Sequence, residues 1–282
     1  HRMGVDPNRT VHDVITHPVT FEVNPCDVRI YGWKDYRGFK EEFTANLHED
    51  GHGLHHLGFS SEWAHTPMAR SGSFGISESQ STFWERIVGG SGPFWTFYYP
   101  FLQERVPELL GSRAWMQMYR AMNAVHPGPK RVGADTLTYI LHILIRTRIE
   151  TNLFNGVMNV EDIPDAWNEM YRDILGVVPA NHAEGCLQDG HWAWGAFGYF
   201  PSYAIGLMMA AQITKRMELD FNLWRQVEKG QFGLITNWLR TNIHQKGGAY
   251  TADELVQEVT GSSLSADSLC KIVVDRLSYV YD

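Results

Sequence analysis

Apolar residues recur with helical spacing through most of the chain. They stand three or four positions apart, as at Phe39, Phe43 and Leu47, and the longest such segment spans residues 134–155. This spacing gathers them on one face of a helix. The pattern predicts helices over residues 37–57, 76–88, 94–106, 113–124, 134–155, 163–175, 201–218, 221–245, 251–260 and 265–279.

Two short segments have the pattern of strands instead. Residues 20–23 and 27–31 are rich in β-branched and aromatic side chains, and Asn24 and Pro25 lie between them. They predict a hairpin or two short strands. The sequence therefore predicts one mainly α domain over residues 1–282, with a small antiparallel β-sheet. Three segments are instead predicted to be irregular, namely residues 4–18, 58–75 and 179–200.

The predicted helix over residues 37–57 contains the clearest chemical motif. His48, Glu49 and His52 form an H-E-x-x-H sequence. Residues four apart lie on one face of a helix, so both histidines can bind one metal ion. Glu49 is then placed to act on a water molecule at that metal. Gly51 is a poor helix former and suggests close approach of another backbone or of a substrate.

A third metal ligand is predicted at Glu78, which opens a separate predicted helix. Two histidines and one carboxylate leave a coordination position open for water, as in catalytic zinc sites. The other interpretation of Glu78 is a helix N-terminal carboxylate stabilised by the helix dipole.

Composition narrows the classes of partner. The formal net charge of −8 does not indicate a nucleic-acid partner. No apolar run is long enough to span a membrane. The three cysteines, Cys26, Cys186 and Cys270, are far apart and match no metal-ligand spacing. A reducing cytoplasmic compartment fits them best.

Residues 78–85, with the sequence ESQSTFWE, resemble the E-S-Q-S-x-x-W-E segment of the M32 metallocarboxypeptidases of the carboxypeptidase Taq type. Other motifs of that family recur in the same order along the chain. They lie at residues 17–19 (similar to H-P-F), 27–31 (D-x-R-x-T), 48–52 (the metal motif), 131–135 (R-x-x-A-D) and 185–192 (G-x-x-Q-D-x-H-W).

The resemblance implies a helical, zincin-like metallopeptidase with the small sheet beside the active site. It implies a zinc-dependent carboxypeptidase, with cobalt as an alternative metal, that releases C-terminal amino acids from peptides. The implied partners are a peptide with a free C-terminal carboxylate and a second copy in a homodimer, with no nucleic acid and no membrane. The implied metal ligands are His48, His52 and Glu78, with Glu49 as general base.

The resemblance also implies roles for residues outside the metal motif. Arginine matches the two oxygens of a carboxylate, so Arg131 is the first choice and Arg29 the second for binding the substrate's C-terminus. A structural ion pair is the other interpretation of each. His191 and Tyr203 are expected to donate hydrogen bonds to the developing oxyanion, although Tyr203 could equally serve packing. Asp189 is expected to orient a neighbouring side chain in the substrate site.

The sequence departs from the family at several positions. Members are longer, with a helical region before the point where this chain begins, so the pattern predicts a natural short form or a fragment. Ser77 replaces the histidine usual before the ligand glutamate, Val19 replaces Phe, Tyr31 replaces Thr and Lys130 replaces Ile or Val. His55-His56 stands where Tyr-Glu is usual. None of these changes removes a predicted metal ligand or Glu49.

Two other functions are open at this point. One is a module that keeps the zinc site for binding or assembly without turnover. The other is a di-metal helical protein, because Glu49-x-x-His52 and Glu62-x-x-His65 both have the E-x-x-H spacing of di-iron bundles. Three further histidines have plainer explanations. His142 is expected in the core, and His55 and His56 are expected to be solvated or hydrogen-bonded.

Overall fold

The computed structural model describes residues 2–282 and confirms a mainly helical fold with a small sheet. The helices are α1 (Phe39–Leu57), α2 (Phe74–Thr82), α3 (Gly92–Arg105), α4 (Pro107–Leu110), α5 (Trp115–Asn123), α6 (Thr136–Phe154), α7 (Ile163–Leu175), α8 (Pro201–Asp220), α9 (Leu223–Glu228), α10 (Phe232–Asn242), α11 (Ala252–Thr260) and α12 (Asp267–Tyr281). A π-helical segment, Phe83–Val88, follows α2 directly. Short 3₁₀ helices lie at Ser61–Trp63, Val160–Asp162 and His244–Ala249.

One predicted helix is wrong in its extent. The segment predicted as a single helix over residues 221–245 divides into α9 and α10. Gly230 separates them with a φ of 65°. Glycine adopts this left-handed conformation without steric cost, and it ends a helix.

The sheet has three strands rather than two. The strands are β1 (Thr10–Ile15), β2 (Val19–Asn24) and β3 (Asp27–Trp33), in the order β1-β3-β2. β2 and β3 are antiparallel as predicted, whereas β1 runs parallel to β3. The sheet is therefore mixed, and the prediction of irregular structure over residues 4–18 is wrong where β1 lies. Most side chains of β1 are exposed, so no alternation of apolar and polar positions reveals this edge strand.

The chain folds into two compact units. The first consists of the chain up to Met122 together with Gly206–Asp282, and the second of Asn123–Ile205. The first unit contains the sheet, α1 and α2, and its fully buried side chains include Trp84 and Trp95. The single domain over residues 1–282 stays a prediction.

The second unit has its own core. α6 and α7 supply most of it, and the loop that follows α7 adds Cys186. Its buried members are Ile145, Ile149, Trp167, Tyr171, Leu175 and Cys186. Within residues 2–282, no helix combines the length and the apolar character that a membrane span needs.

Candidate metal centre

His48 and His52 on α1 face Glu78 on α2 in the first unit. The two Nε2 atoms lie 3.2 Å apart. Glu78 Oε2 lies 3.5 Å from Nε2 of His48 and 3.8 Å from Nε2 of His52. Ligand atoms about 2.0–2.1 Å from a tetrahedral ion stand about 3.3 Å from one another. These three side chains therefore fit one small metal ion.

Local packing brings the ligand helices together. A Cβ on Gly51 would lie 2.7 Å from both the Gln80 carbonyl oxygen and the Ser81 Cα. Only a glycine lets α1 approach the backbone of α2 this closely, which confirms the close approach expected at Gly51. On the other side, a Cβ on Gly206 of α8 would lie 2.6 Å from the Glu78 Cβ. Glu78 is thus held between two helices and is almost fully buried.

The Nδ1 atoms of His48 and His52 each lie within hydrogen-bond distance of a side-chain oxygen. His48 Nδ1 lies 2.9 Å from Glu85 Oε2, and His52 Nδ1 lies 3.0 Å from Ser77 Oγ. When each Nδ1–H donates to its oxygen, the Nε2 lone pair is directed to the metal position. Such outer hydrogen bonds fix the orientation and tautomer of metal-binding histidines.

The π-helical segment carries Glu85. The Gly89 N–H donates to the Trp84 carbonyl at 2.9 Å, a bond five residues apart. π-turns are rare and occur often at functional sites. Here the segment continues from the helix that carries Glu78, so one continuous stretch supplies both a candidate ligand and the hydrogen-bond partner of His48.

Glu49 is buried beside the ligands. The Thr20 hydroxyl on β2 lies 2.8 Å from Glu49 Oε2. Burial raises the pKa of Glu49, while His48 and the hydrogen bond with Thr20 act in the opposite direction. The sheet thus lies beside the candidate metal centre, as the resemblance implied.

The two histidines have opposite pKa shifts. Burial would lower the pKa of His48, but Glu85, Glu78 and Glu49 raise it to about 9. Burial and the neighbouring His48 lower the pKa of His52 well below its usual value. The carboxylates therefore stabilise one positive charge among these groups, which is the environment that a bound cation requires.

Arg131 and Asp189 form a buried ion pair in the second unit. Arg131 Nε and an Nη donate to Asp189 Oδ1 at 3.0 and 2.7 Å, and Arg146 Nε donates to Oδ2 at 2.7 Å. Burial would raise the pKa of Asp189, but the two guanidinium groups lower it to about 2. Burial opposes the charge on Arg131, but Asp189 raises its pKa above the ordinary value. Two cations therefore share one carboxylate.

His191 and Tyr203 contact each other in the same unit. His191 Nε2 lies 3.0 Å from the Tyr203 hydroxyl. The Arg131 guanidinium lies over the Tyr203 ring, 4.9 Å from its centroid. The structure thus gathers Arg131, Asp189, His191 and Tyr203 into one cluster.

Arg29 has a different environment. It lies on β3 in the first unit, and its Nε and an Nη donate to Asp27 at 3.2 and 3.0 Å. This pair is solvent-exposed, with 46% of the Arg29 side chain accessible. The hydrogen bond with Asp27 raises the pKa of Arg29.

His142 and His56 lie in the environments that the sequence predicts, whereas His55 does not. His142 is fully buried, with Nδ1 2.8 Å from the Tyr171 hydroxyl, so its core position is confirmed. His56 Nδ1 lies 2.7 Å from Glu22 Oε2. The prediction for His55 is wrong, because its ring is buried and packs against those of Phe59 and His244.

Nothing in the described residues supports a second metal at the other E-x-x-H sequence. Glu62 and His65 are exposed, and His65 lies outside any helix with a φ of 68°. Within residues 2–282, His48, His52 and Glu78 form the one group that meets the distance requirement for a shared ion.

Sequence reasoning missed four residues that contact the predicted ones: Thr20, Ser77, Glu85 and Arg146. Glu85 lies seven residues after Glu78, or two helical turns, so helical spacing could have placed both on one side. Ser77 and Thr20 have no comparable signal, because a single hydroxyl can hydrogen-bond in many environments.

Comparison with known proteins agrees with this geometry. The family model described as Carboxypeptidase Taq (M32) metallopeptidase matches residues 1–277. The chain belongs to this family. It is 37% identical to Carboxypeptidase 1 of Bacillus subtilis over 280 residues, which is 99% of this chain and 56% of that protein. It is 40% identical to Thermostable carboxypeptidase 1 of Thermus thermophilus over 272 residues, which is 95% of this chain and 53% of that protein.

Solved structures share the fold. The structure of Pyrococcus furiosus carboxypeptidase in its Apo-Mg form has a TM-score of 0.93 and 35% identity, covering 99% of this chain and 56% of that chain. The chain thus spans little more than half the length of the curated relatives it matches. The family is one of metallopeptidases, so membership implies a metal ion, and the His-His-Glu group is the candidate site for it.

Proposed function

We propose that this protein is a metal-dependent carboxypeptidase that releases amino acids from the free C-termini of peptides. The observation that carries the proposal is the group of His48, His52 and Glu78, with Glu49 buried alongside. Membership of the metallopeptidase family supports it, and so do relatives named as carboxypeptidases.

Zinc is the proposed metal, with cobalt as the alternative. Two imidazoles and one carboxylate are a zinc-type set that leaves a position open for water or substrate. When bound there, a zinc ion would lower the pKa of a coordinated water and polarise the scissile carbonyl. His48, His52 and Glu78 would hold the ion.

Glu49 is proposed as the general base. Its carboxylate takes a proton from the attacking water and later delivers it to the leaving amine. Its burial favours this role, because burial raises the pKa of the carboxyl above its ordinary value and so makes the group a stronger base. The hydrogen bond with Thr20 keeps the group from turning freely.

Arg131 is proposed to bind the substrate's C-terminal carboxylate, with Arg29 as the second choice. The charges support Arg131, because Arg131, Arg146 and Asp189 together carry one excess positive charge next to an aromatic ring. Asp189 orients both guanidinium groups. Arg29 is exposed and available to a ligand, but Asp27 balances its charge.

His191 and Tyr203 are proposed as hydrogen-bond donors to the carbonyl oxygen as negative charge develops on it. Their mutual contact at 3.0 Å supports a shared role. If the His191 Nε2–H donates to the Tyr203 hydroxyl oxygen, the tyrosine O–H can point toward the substrate carbonyl oxygen. A packing role is the other interpretation of Tyr203, because its ring also contacts those of Tyr199 and Phe200.

The expected partners follow from the same proposal. The substrate is a peptide with a free C-terminal carboxylate, and the family resemblance favours a homodimer. The described cysteines Cys26, Cys186 and Cys270 are all free thiols, which supports a reducing compartment such as the cytoplasm. A module that binds zinc without turnover is the alternative. The presence of Glu49 beside three ligands argues against it, because a purely structural site needs no base.

The test is release of C-terminal amino acids from N-blocked dipeptides and longer peptides by the zinc-loaded and cobalt-loaded protein. We expect release that chelation abolishes and metal restores. The matched control is Glu49→Gln, which should keep the metal and lose about 10²–10⁴-fold in rate. Absence of metal-dependent release from every substrate would overturn the proposed function.

A further inference from the structure

Thr20 reaches Glu49 from the sheet. Its hydroxyl oxygen lies 2.8 Å from Glu49 Oε2 and 3.0 Å from the Glu49 backbone carbonyl oxygen. No other side chain among residues 2–282 has a hydrogen bond to the Glu49 carboxylate in the structure. Thr20 is therefore the one described side chain in a position to restrain this carboxylate by a hydrogen bond.

The backbone around Thr20 is well fixed. Thr20 is in register with Ile30 of the central strand β3. Side chains two apart in a strand share a face, so Thr20 and Glu22 both point toward α1. They contact Glu49 and His56, which lie two helical turns apart on α1. Two side-chain contacts therefore fix β2 against α1, and the contact of Thr20 with Glu49 is one of them.

The Thr20 side chain is suited to hold a group in one place. A β-branched side chain has few accessible χ1 rotamers, so the hydroxyl oxygen has a defined position once the backbone is fixed. The hydroxyl has one proton and two acceptors within reach. An ionised carboxylate is the stronger acceptor, so the proton goes to Oε2.

We infer that Thr20 is a positioning residue for Glu49. It holds Oε2 of the Glu49 carboxylate, so that Oε1 is the oxygen that takes the proton from water and delivers it to the leaving amine. The inference rests on the proposed function, because it takes from there the role of Glu49 as general base. A misplacement of about 1 Å in a reacting group costs about 10²-fold in rate. A hydroxyl that keeps the carboxylate in one rotamer therefore affects the rate without touching substrate.

Packing of β2 against α1 is the competing explanation of Thr20, and two substitutions separate them. Thr20→Val keeps the shape and removes the hydroxyl, whereas Thr20→Ser keeps the hydroxyl and removes the methyl group. A positioning role requires the serine variant to work and the valine variant to fail. A packing role requires the reverse.

The test uses the zinc-loaded protein and both variants, with zinc content and thermal unfolding measured as controls. For Thr20→Val we expect kcat to fall about 10- to 100-fold, with KM within about threefold of wild type and zinc content unchanged. Thr20→Ser should lose much less in kcat than Thr20→Val, because it keeps the hydroxyl, although its χ1 angle is less restricted. An unchanged kcat in Thr20→Val, or an equal loss in both variants, would overturn the inference.

Crystal structures of the zinc-loaded variants supply a readout that does not depend on turnover. In Thr20→Val the Glu49 carboxylate should adopt a second rotamer, and in Thr20→Ser it should keep one. A single, unmoved carboxylate in Thr20→Val contradicts the inference whatever the activity. If the wild-type protein releases no amino acid, the proposed function fails, while the structures still decide whether Thr20 holds Glu49.

Discussion

Glu85 Oε2 lies 2.9 Å from His48 Nδ1, on the side of the ring opposite to the metal position. The carboxylate fixes the ring and makes Nε2 a better ligand. We predict that Glu85→Ala weakens zinc binding about 10- to 100-fold. Glu85→Gln should weaken it less, because the amide oxygen still accepts from Nδ1. Competition with a chromogenic chelator measures both affinities.

The matched control for Glu85 is Glu62→Ala. Glu62 is exposed and lies outside the His-His-Glu group, so its loss should leave zinc affinity unchanged. If Glu85→Ala binds zinc as tightly as the wild-type protein, the hydrogen bond to His48 does not support the metal site.

The contact between Gly51 and α2 predicts a steric effect. An alanine Cβ at Gly51 would lie 2.7 Å from two backbone atoms of α2, which cannot move independently of the helix. We expect Gly51→Ala to lower the free energy of unfolding by about 1–3 kcal/mol. It should also weaken zinc binding, because Glu78 lies on α2.

Gly233→Ala is the control for that prediction. Gly233 lies in α10, and no atom stands within 4 Å of a Cβ there. An alanine in a helix is more stable than a glycine by about 0.5–1 kcal/mol, so this variant should unfold at the same or a higher urea concentration. Equal behaviour of the two variants would show that the close approach at Gly51 has no energetic consequence.

Arg131 and Arg29 can be compared directly as carboxylate-binding residues. A lysine keeps the charge and loses the planar fork that matches two oxygens. We predict that Arg131→Lys raises KM for peptide substrates about tenfold or more, while Arg29→Lys changes it less. Steady-state kinetics on one blocked dipeptide measures both. A rise in KM confined to Arg29→Lys would move the assignment to Arg29.

Buried histidines predict loss of stability in acid. Burial, together with Arg146 and Arg131, lowers the pKa of His142 to about 3 from the ordinary 6.5. Below pH 6.5 His142 therefore becomes protonated in the unfolded chain but stays neutral in the folded protein. The contribution of neutral His142 to the free energy of unfolding is fully present above pH 6.5, and it is lost as the pH falls toward 3.

His142→Asn tests this window, because an asparagine oxygen can still accept from the Tyr171 hydroxyl and does not titrate. Between pH 7 and pH 5 the wild-type protein should lose about 2 kcal/mol more stability than the variant. Urea unfolding at both pH values measures the difference, which is independent of any constant destabilisation by the substitution. Equal losses would show that the pKa of His142 is not lowered in the folded protein. His244, whose pKa burial also lowers to about 3, stays as a common background in both proteins.

Part of the candidate metal-binding group could be predicted from sequence, because helical geometry alone brings His48 and His52 together. The choice of Glu78 depended on the family resemblance as well, and in the structure its carboxylate lies 3.5 and 3.8 Å from the two histidines. β1 could not be predicted, since its side chains are mostly exposed and its pairing depends on the backbone of β3.

Side chains that contact the candidate site residues could not be predicted from the sequence either. Ser77 and Thr20 act through single hydroxyl groups whose partners are 25 and 29 residues away along the chain. The sharing of Asp189 by Arg131 and Arg146 depends on how the loop after α7 returns to α6. Spacing rules describe one helix or strand at a time and do not report such contacts.

The most direct test of carboxypeptidase activity is a pair of peptides that differ only at the C-terminus, one a free carboxylate and the other an amide. The zinc-loaded protein should release the terminal residue from the free peptide and leave the amide essentially uncut. The Glu49→Gln variant should cut neither peptide. Equal cleavage of both peptides, or no cleavage of either by the zinc-loaded protein, would contradict the proposed function.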